Sequence, residues 1–356
     1  MPHALKNIDW QLFGAIGILI SAGMLSLLSS SPDFFSKQVV WIVMSAAVAG
    51  MLLFVDLRSF LASRWYVGGL YMLTIGLLVI TLLFAPQIKG NRAWLALGPF
   101  QFQPSEFAKV ALVIVLAHYF SKRHVGIARW KTIGGSFAYA ALPAALVAVQ
   151  PDLGSALILG IIWLGFVLAS GIPLRRLAVA AIVFGIAFVL MWSYVLRDYQ
   201  KARVRALFEP EQDPLGVNYS VIQSKIAIGS GGWFGKGFRQ GTQVQLGFLP
   251  EAHNDFIFAA IAEEGGLVAV ALVTGTFLWM FARILTMGVR ASGNFFKFAS
   301  LGAVAFFLGQ FVLHVGSNVG FLPVVGTTLP FISYGGSSIM ACMIMVGILQ
   351  SVYARE

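Results

Sequence analysis

Apolar runs of about twenty residues follow one another along this chain with almost no charge inside them. At 1.5 Å of rise per residue, each can cross a hydrocarbon core about 30 Å thick as a helix. Of the 356 residues, 58% are hydrophobic and 11% charged. An average soluble domain carries about 25% charged residues, and a soluble core cannot absorb this much apolar surface. The chain therefore reads as an all-α integral membrane protein, a single polytopic domain over residues 1–356. Windows of about 19 residues place spans at 11–30, 37–55, 66–85, 105–120, 134–150, 154–171, 177–196, 255–282, 296–317 and 335–353. That is about ten transmembrane helices on the hydropathy criterion. Only Gln150, Pro151, Asp152 and Leu153 separate the fifth from the sixth, where proline and a carboxylate mark a tight turn. No small-residue cleavage pattern follows the first span, which is read as retained.

The formal charge of +10 does not point to nucleic acid, because the lysines and arginines are scattered through connecting loops. Anionic membrane lipids are the simpler partner. One set of alternate connections holds Lys6, Arg58, Arg64, Lys122, Arg123, Arg129, Lys131, Arg175, Arg176, Arg283, Arg290, Lys297 and Arg355; the other holds only Lys37, Lys89 and Arg92. The positive-inside rule puts the first set, and with it both termini, in the cytoplasm. Cys342 has no second cysteine to pair with, and the dispersed histidines form no zinc-ligand spacing.

Two segments on the outer side stand apart. Residues 197–254, between the seventh and eighth spans, form a large extracytoplasmic loop, and loops of that length are usually functional or disordered. Its glycines and aromatics favour order. Between the ninth and tenth spans runs SNVGFLPVVGTTLPFISYGGSS, residues 317–338, rich in glycine and proline and uncharged. Backbone of that kind at membrane depth has to be buried in protein or line a cavity.

Ionisable groups inside spans are costly and so are functional candidates. Glu106 and Lys109 stand three residues apart on one face of the fourth span, and Asp152 opens the sixth on the same membrane side as a second possible partner for Lys109. A structural ion pair between helices and a role toward substrate both fit. In LPEAHNDFIFAAIAEEGG, Glu251 and His253 precede Asp255, while Glu263 and Glu264 fall about 12 Å further along the helix, well below the interface. Local chemistry reads Asp255 as a helix N-cap. In AIGSGGWFGKGFRQGTQVQ, closely spaced glycines with Lys236 and Arg239 suit either a phosphate cradle or plain tight turns, and the turns are the simpler reading. His314, alone in a span, reads as a hydrogen-bonded bundle histidine.

Five motifs agree in order and spacing with the SEDS family, whose RodA and FtsW members build the peptidoglycan strand. They are KGNRAWLALGPFQFQPSEFAKVAL from Lys89, QPDLGSALIL from Gln150, AIGSGGWFGKG from Ala227, LPEAHNDFIFAAIAEEGG from Leu249 and LPVVGTTLPFISYGGSS from Leu322. The chain resembles the family over nearly its whole length, and the RodA branch more than FtsW because long cytoplasmic tails are missing. The resemblance implies a glycosyltransferase of the bacterial cytoplasmic membrane, serving cell-wall elongation and cell shape. It would polymerise lipid II, moving an undecaprenyl-linked glycan onto the 4-hydroxyl of the incoming disaccharide and releasing the pyrophosphate carrier. It also implies that Asp255 is the carboxylate needed for polymerisation, that Glu106, Lys109 and Asp152 belong to polar motifs around a central cavity, and that Arg92 and Trp94 match the loop before the fourth span. Asparagine stands at 254 where the family often has threonine, and Ala93 separates Arg92 from Trp94. A class B penicillin-binding protein is the implied partner. No cofactor is evident; a divalent cation, magnesium or manganese, is compatible with the chemistry, although no ligand set is visible. A lipid II flippase is the rival reading, disfavoured by the large outer loop with its carboxylate and by the lack of a visible inverted repeat.

Overall fold

The computed structural model of the protein describes residues 8–87, 91–97, 100–123, 129–169 and 218–355, with Gly171, Gly185, Ser193 and Lys201 as single positions. The expected seventh span, 177–196, and the first part of the large loop lie outside the described residues apart from those positions. The elements are α1 (Trp10–Ser30), α2 (Pro32–Phe54), α3 (Leu57–Ala62), α4 (Arg64–Phe84), β1 (Leu95–Leu97), β2 (Phe100–Phe102), α5 (Pro104–Ser121), α6 (Trp130–Val149), α7 (Leu153–Ala169), α8 (Tyr219–Ser230), α9 (Thr242–Gln245), α10 (Ile257–Arg290), α11 (Asn294–Asn318) and α12 (Gly336–Tyr353).

Among the described residues, α1, α2, α4, α6, α10, α11 and α12 are long and apolar enough to cross a membrane. The shorter α7 and the more polar α5 fill two of the three remaining expected positions, the third being the span at 177–196. Local signals set the starts. Asp9 caps α1 by accepting from the Leu12 amide, and Pro32 and Pro104 open α2 and α5, where a missing N–H costs nothing. Helix α5 is buried along most of its length and packs against α4, α7, α11 and α12. This central position allows it to carry a charged pair that a lipid-facing helix could not. Helices α2 and α4 instead expose Val43, Met51, Met72, Leu73 and Leu83, as lipid-facing helices do.

Three features depart from the expectation. A short antiparallel hairpin pairs Leu95 with Phe102, Ala96 with Gln101 and Leu97 with Phe100, just before α5. The irregular segment between α11 and α12 is narrower than expected, residues 319–335, and Leu329, Phe331, Ile332 and Ser333 lie buried within the protein. Helix α10 is longer than expected and broken: Gly266 takes φ 66 and ψ −165, which a side chain would resist.

The segment before α9 splints that break. Gly232 and Trp233 accept from the Leu267 and Val268 amides at 2.9 and 3.1 Å, while the Lys236 and Gly237 amides donate to the Glu263 and Glu264 carbonyls at 2.9 and 3.1 Å. A helix interruption leaves unpaired backbone groups, and here a neighbouring strap of chain pairs them. Glu264 accepts a hydrogen bond from Ser29, one residue before α1 ends. Glu263 and Glu264 therefore sit level with the C-terminal end of α1, not deep beneath it. The 34-residue α10, about 51 Å if straight, exceeds the thickness of a bilayer core.

Candidate active site

Asp255 lies in a tight turn ahead of α10. The Glu251 carbonyl, in a residue with φ 51, accepts from both the Asn254 and Phe256 amides at 3.0 and 3.2 Å. The helix begins at Ile257, with Phe256 in the cap position and no side-chain cap. Asp255 therefore does not start the helix, which corrects the N-cap reading.

Its position is set through the backbone. Asn318, buried at the end of α11, donates from Nδ2 to the Asp255 carbonyl at 2.8 Å and to the His314 carbonyl at 2.8 Å, and accepts at Oδ1 from the Ala259 amide at 3.2 Å. The Ser333 hydroxyl donates to the Asn254 carbonyl at 3.0 Å, and the Tyr334 amide donates to the His253 carbonyl at 3.0 Å. The His253 ring stacks on Phe34 at 4.5 Å, and Phe34 also meets Tyr334 at 4.6 Å. A Cβ built on Gly326 would stand 3.9 Å from Asp255 Oδ2, so the carboxylate faces the 319–335 segment.

A second polar group occupies the start of α5. Lys109 Nζ lies 2.7 Å from Glu106 Oε1, both side chains are almost fully buried, and the ammonium stands 5.9 Å from the Phe306 ring centre. Asp152 does not join them. Its Oδ1 accepts from the Ser155 amide at 3.1 Å, capping α7, while Oδ2 accepts from Gln103 Nε2 and Ser105 Oγ at 3.0 Å each. Of the two partners open to Lys109, the structure selects Glu106, the one a single helical turn away.

The 319–335 segment faces Asp255 directly and is linked to the start of α5 through the first turn of α12. Beyond Gly326, Thr328 and Ser338 share a hydroxyl hydrogen bond at 2.7 Å, and the neighbouring Ser337 accepts from the Gln103 amide at 2.9 Å. His314 Nδ1 lies 2.8 Å from the Thr327 carbonyl, the bundle hydrogen bond expected of that histidine. Asn318, Ser333, Gln103 and Ser337 were not singled out by sequence. Small polar residues at span ends look like ordinary interface positions until the fold brings them together.

The remaining candidates lie elsewhere. Arg92 is exposed, with its amide donating to the Gln150 carbonyl at 3.3 Å, and the half-buried Trp94 precedes β1. The phosphate-cradle alternative for the glycine-rich loop is corrected: the Lys236 and Gly237 amides are spent on α10, Lys236 Nζ pairs with Glu263 Oε1 at 2.8 Å, and Arg239 donates to the Leu28 carbonyl at 3.0 Å. Glu263 is fully buried and also accepts from the Gln243 and Val244 amides at 2.9 and 3.2 Å. Lys236→Met strands that carboxylate and should lower stability by about 3 kcal/mol. Glu263→Gln, which leaves a part-exposed lysine free to hydrate, should cost less. Thermal unfolding of the two variants in detergent checks the order; equal losses would contradict it. Among the described residues no three His, Cys, Asp or Glu gather as a metal-binding group.

Comparison with known proteins places this arrangement. A family model described as a cell cycle protein, FtsW/RodA/SpoVE, matches residues 5–356. The peptidoglycan glycosyltransferase MrdB of Escherichia coli K12 is 40% identical over 287 residues, covering 81% of this chain and 77% of that protein. The probable peptidoglycan glycosyltransferase FtsW of Thiomicrospira cyclica is 31% identical over 360 residues, covering 97% of this chain and 91% of its own. Among solved structures, a chain of a peptidoglycan synthase complex, described for its coordination of polymerisation and crosslinking, superposes with a TM-score of 0.82 at 31% identity, covering 97% of each chain. The rod shape determining protein RodA of Thermus thermophilus superposes with a TM-score of 0.72 at 28% identity, covering 97% of this chain and 96% of that one. With the family model matched from residue 5 to the last residue and the fold shared across whole chains, this multi-pass membrane protein belongs to the FtsW/RodA/SpoVE family.

Proposed function

We propose that this chain is a peptidoglycan glycosyltransferase of the bacterial inner membrane that polymerises lipid II. The observation that carries the reading is Asp255, held ahead of α10 by backbone contacts from Asn318 and Ser333 with its carboxylate toward the 319–335 segment. A carboxylate so placed can accept the proton of the acceptor's 4-hydroxyl as it attacks the anomeric carbon of the donor. The carrier pyrophosphate leaves without needing an acid, so the step depends on a base. The lipid-linked donor explains why a sugar polymerase is built from membrane helices. Family relatives named as glycosyltransferases favour polymerisation over lipid II flipping.

The Glu106–Lys109 pair and Asp152 bind and orient the substrate from beneath, joined to Asp255 through the 319–335 segment. A class B penicillin-binding protein is the proposed partner, in line with the synthase complex among the solved neighbours. The test is incubation of the purified protein, with and without that partner, with lipid II. Glycan polymer on a gel is expected, whereas lipid II transport without polymer would overturn the reading.

Both termini lie in the cytoplasm on the charge asymmetry described above. Cys342, the chain's one cysteine, is buried and gives a clean background for labelling. A cysteine at the exposed Gln240 should react with an impermeant maleimide in intact spheroplasts; reaction only after lysis would invert the topology.

A further inference from the structure

We propose that Lys225 is a substrate-binding residue of this polymerase, a cation that takes a phosphate of the lipid-linked pyrophosphate beside Asp255; this rests on the function proposed above. Helix α8 turns Ser224 and Ala227 inward, and the Ser224 hydroxyl donates to the Asn318 carbonyl at 2.8 Å. The side chain of the same Asn318 holds the Asp255 carbonyl at 2.8 Å. Lys225 thus follows directly on a residue that is one side chain removed from the candidate base.

The lysine has a built seat. Gly320 takes φ +76, and a Cβ there would come within 2.2 Å of Lys225 Cε and 2.6 Å of its Nζ. Any other residue at 320 would displace the lysine. Lys225 is exposed and so open to a ligand, and its distal end lies against Gly320 of the 319–335 segment, whose Gly326 faces Asp255.

Among the described residues its charge is also unspent. Lys109, Lys236, Arg283 and Arg58 pair with Glu106, Glu263, Asp9 and Asp56 respectively. Lys225 has no carboxylate within ion-pair distance among the described residues. A carboxylate base working beside a pyrophosphate suffers like-charge repulsion, and a compact ammonium with three donors offsets it. The anion it takes is a phosphate, from the substrate's pyrophosphate; a phospholipid headgroup carries the same chemistry, and the test separates the two.

The experiment uses the full chain with its penicillin-binding partner in zwitterionic micelles and lipid II as substrate. Lys225→Gln should raise KM about tenfold, the size of one charge-assisted hydrogen bond, with kcat changed less than about threefold. Lys225→Arg should restore KM to within about twofold, again on the scale of a retained charge-assisted contact. Direct binding of lipid II to the Asp255→Asn protein, read without turnover, should weaken by the same factor when Lys225→Gln is added. An unchanged KM overturns the proposal, and so does an arginine variant as impaired as the glutamine, which would mark a packing role over Gly320. A lysine effect seen only when phosphatidylglycerol is added assigns the site to headgroups and overturns it too. Absence of polymer from the unsubstituted protein would count against the function, while the binding arm would still decide the lysine.

Discussion

Replacing Asp255 by asparagine is expected to abolish polymer formation while leaving the protein folded and able to bind its partner. The three contacts that fix this turn, from Asn318, Ser333 and Tyr334, all reach backbone carbonyls of residues 253–255, so the side-chain change leaves the scaffold in place. Asparagine keeps the size and removes the basicity. A general base is typically worth about 10²–10⁴ in rate, enough to take polymer below detection on a gel. Because α10 starts two residues later, a capping role offers no route by which aspartate would matter and asparagine fail. A carboxylate that instead held a divalent cation against the pyrophosphate would also be lost in this variant, but its activity should then recover in part at high magnesium or manganese. Near-normal polymer from an asparagine variant with an unchanged unfolding midpoint would refute the catalytic role.

Lys109→Met is expected to have the largest effect on stability. The ammonium and the Glu106 carboxylate stand 2.7 Å apart with almost no exposure, so deleting the lysine leaves an anion buried among apolar helices. Breaking such a pair from one side typically costs about 3–5 kcal/mol, a large share of the roughly 5–15 kcal/mol that holds a domain together. The double variant Lys109→Met/Glu106→Gln should recover most of that loss, since neither residue then carries a charge. Thermal unfolding across the double-mutant cycle measures the coupling. A double variant no more stable than Lys109→Met alone would show that the pair is not the source of the cost. Polymer formation should fail in all three variants, because the recovered protein still lacks the charges.

The spans were legible because hydropathy over twenty residues is a cumulative signal, and nine of the ten expected spans have a helix in the described residues. Boundaries were less legible. Helix α10 runs on to Arg290 because its lipid-facing stripe continues past the window that defined it. The hairpin before α5 escaped notice because two three-residue strands carry too short an alternation to stand out. Three-residue spacing offered Glu106 as one of two partners for Lys109, and only the fold, by engaging Asp152 with Gln103, Ser105 and Ser155, decided between them. The placement of Asp255 was not legible, because it depends on Asn318, some sixty residues away and unremarkable in sequence. The glycine-rich loop shows the limit of a motif. Closely spaced glycines say that backbone approaches something closely, and only the fold identified that something as α10 itself. The Gly265–Gly266 pair was the available clue, since two glycine stretches close in sequence are suited to lie against each other.

The splint across the α10 break has a consequence for how the protein is made. The strap, residues 232–237, precedes the helix it repairs, residues 263–268, by about thirty positions in the direction of synthesis. It is therefore synthesised first and is already available when α10 arrives. The helix's stranded carbonyls and amides can be paired as they emerge, with no interval in which the broken helix is left unpaired. Reversing that order, by a circular permutation that places the strap after α10, would keep every native contact available yet expose the break throughout insertion. Such a chain should reach the membrane in poor yield, and whatever does fold should be as stable as the original.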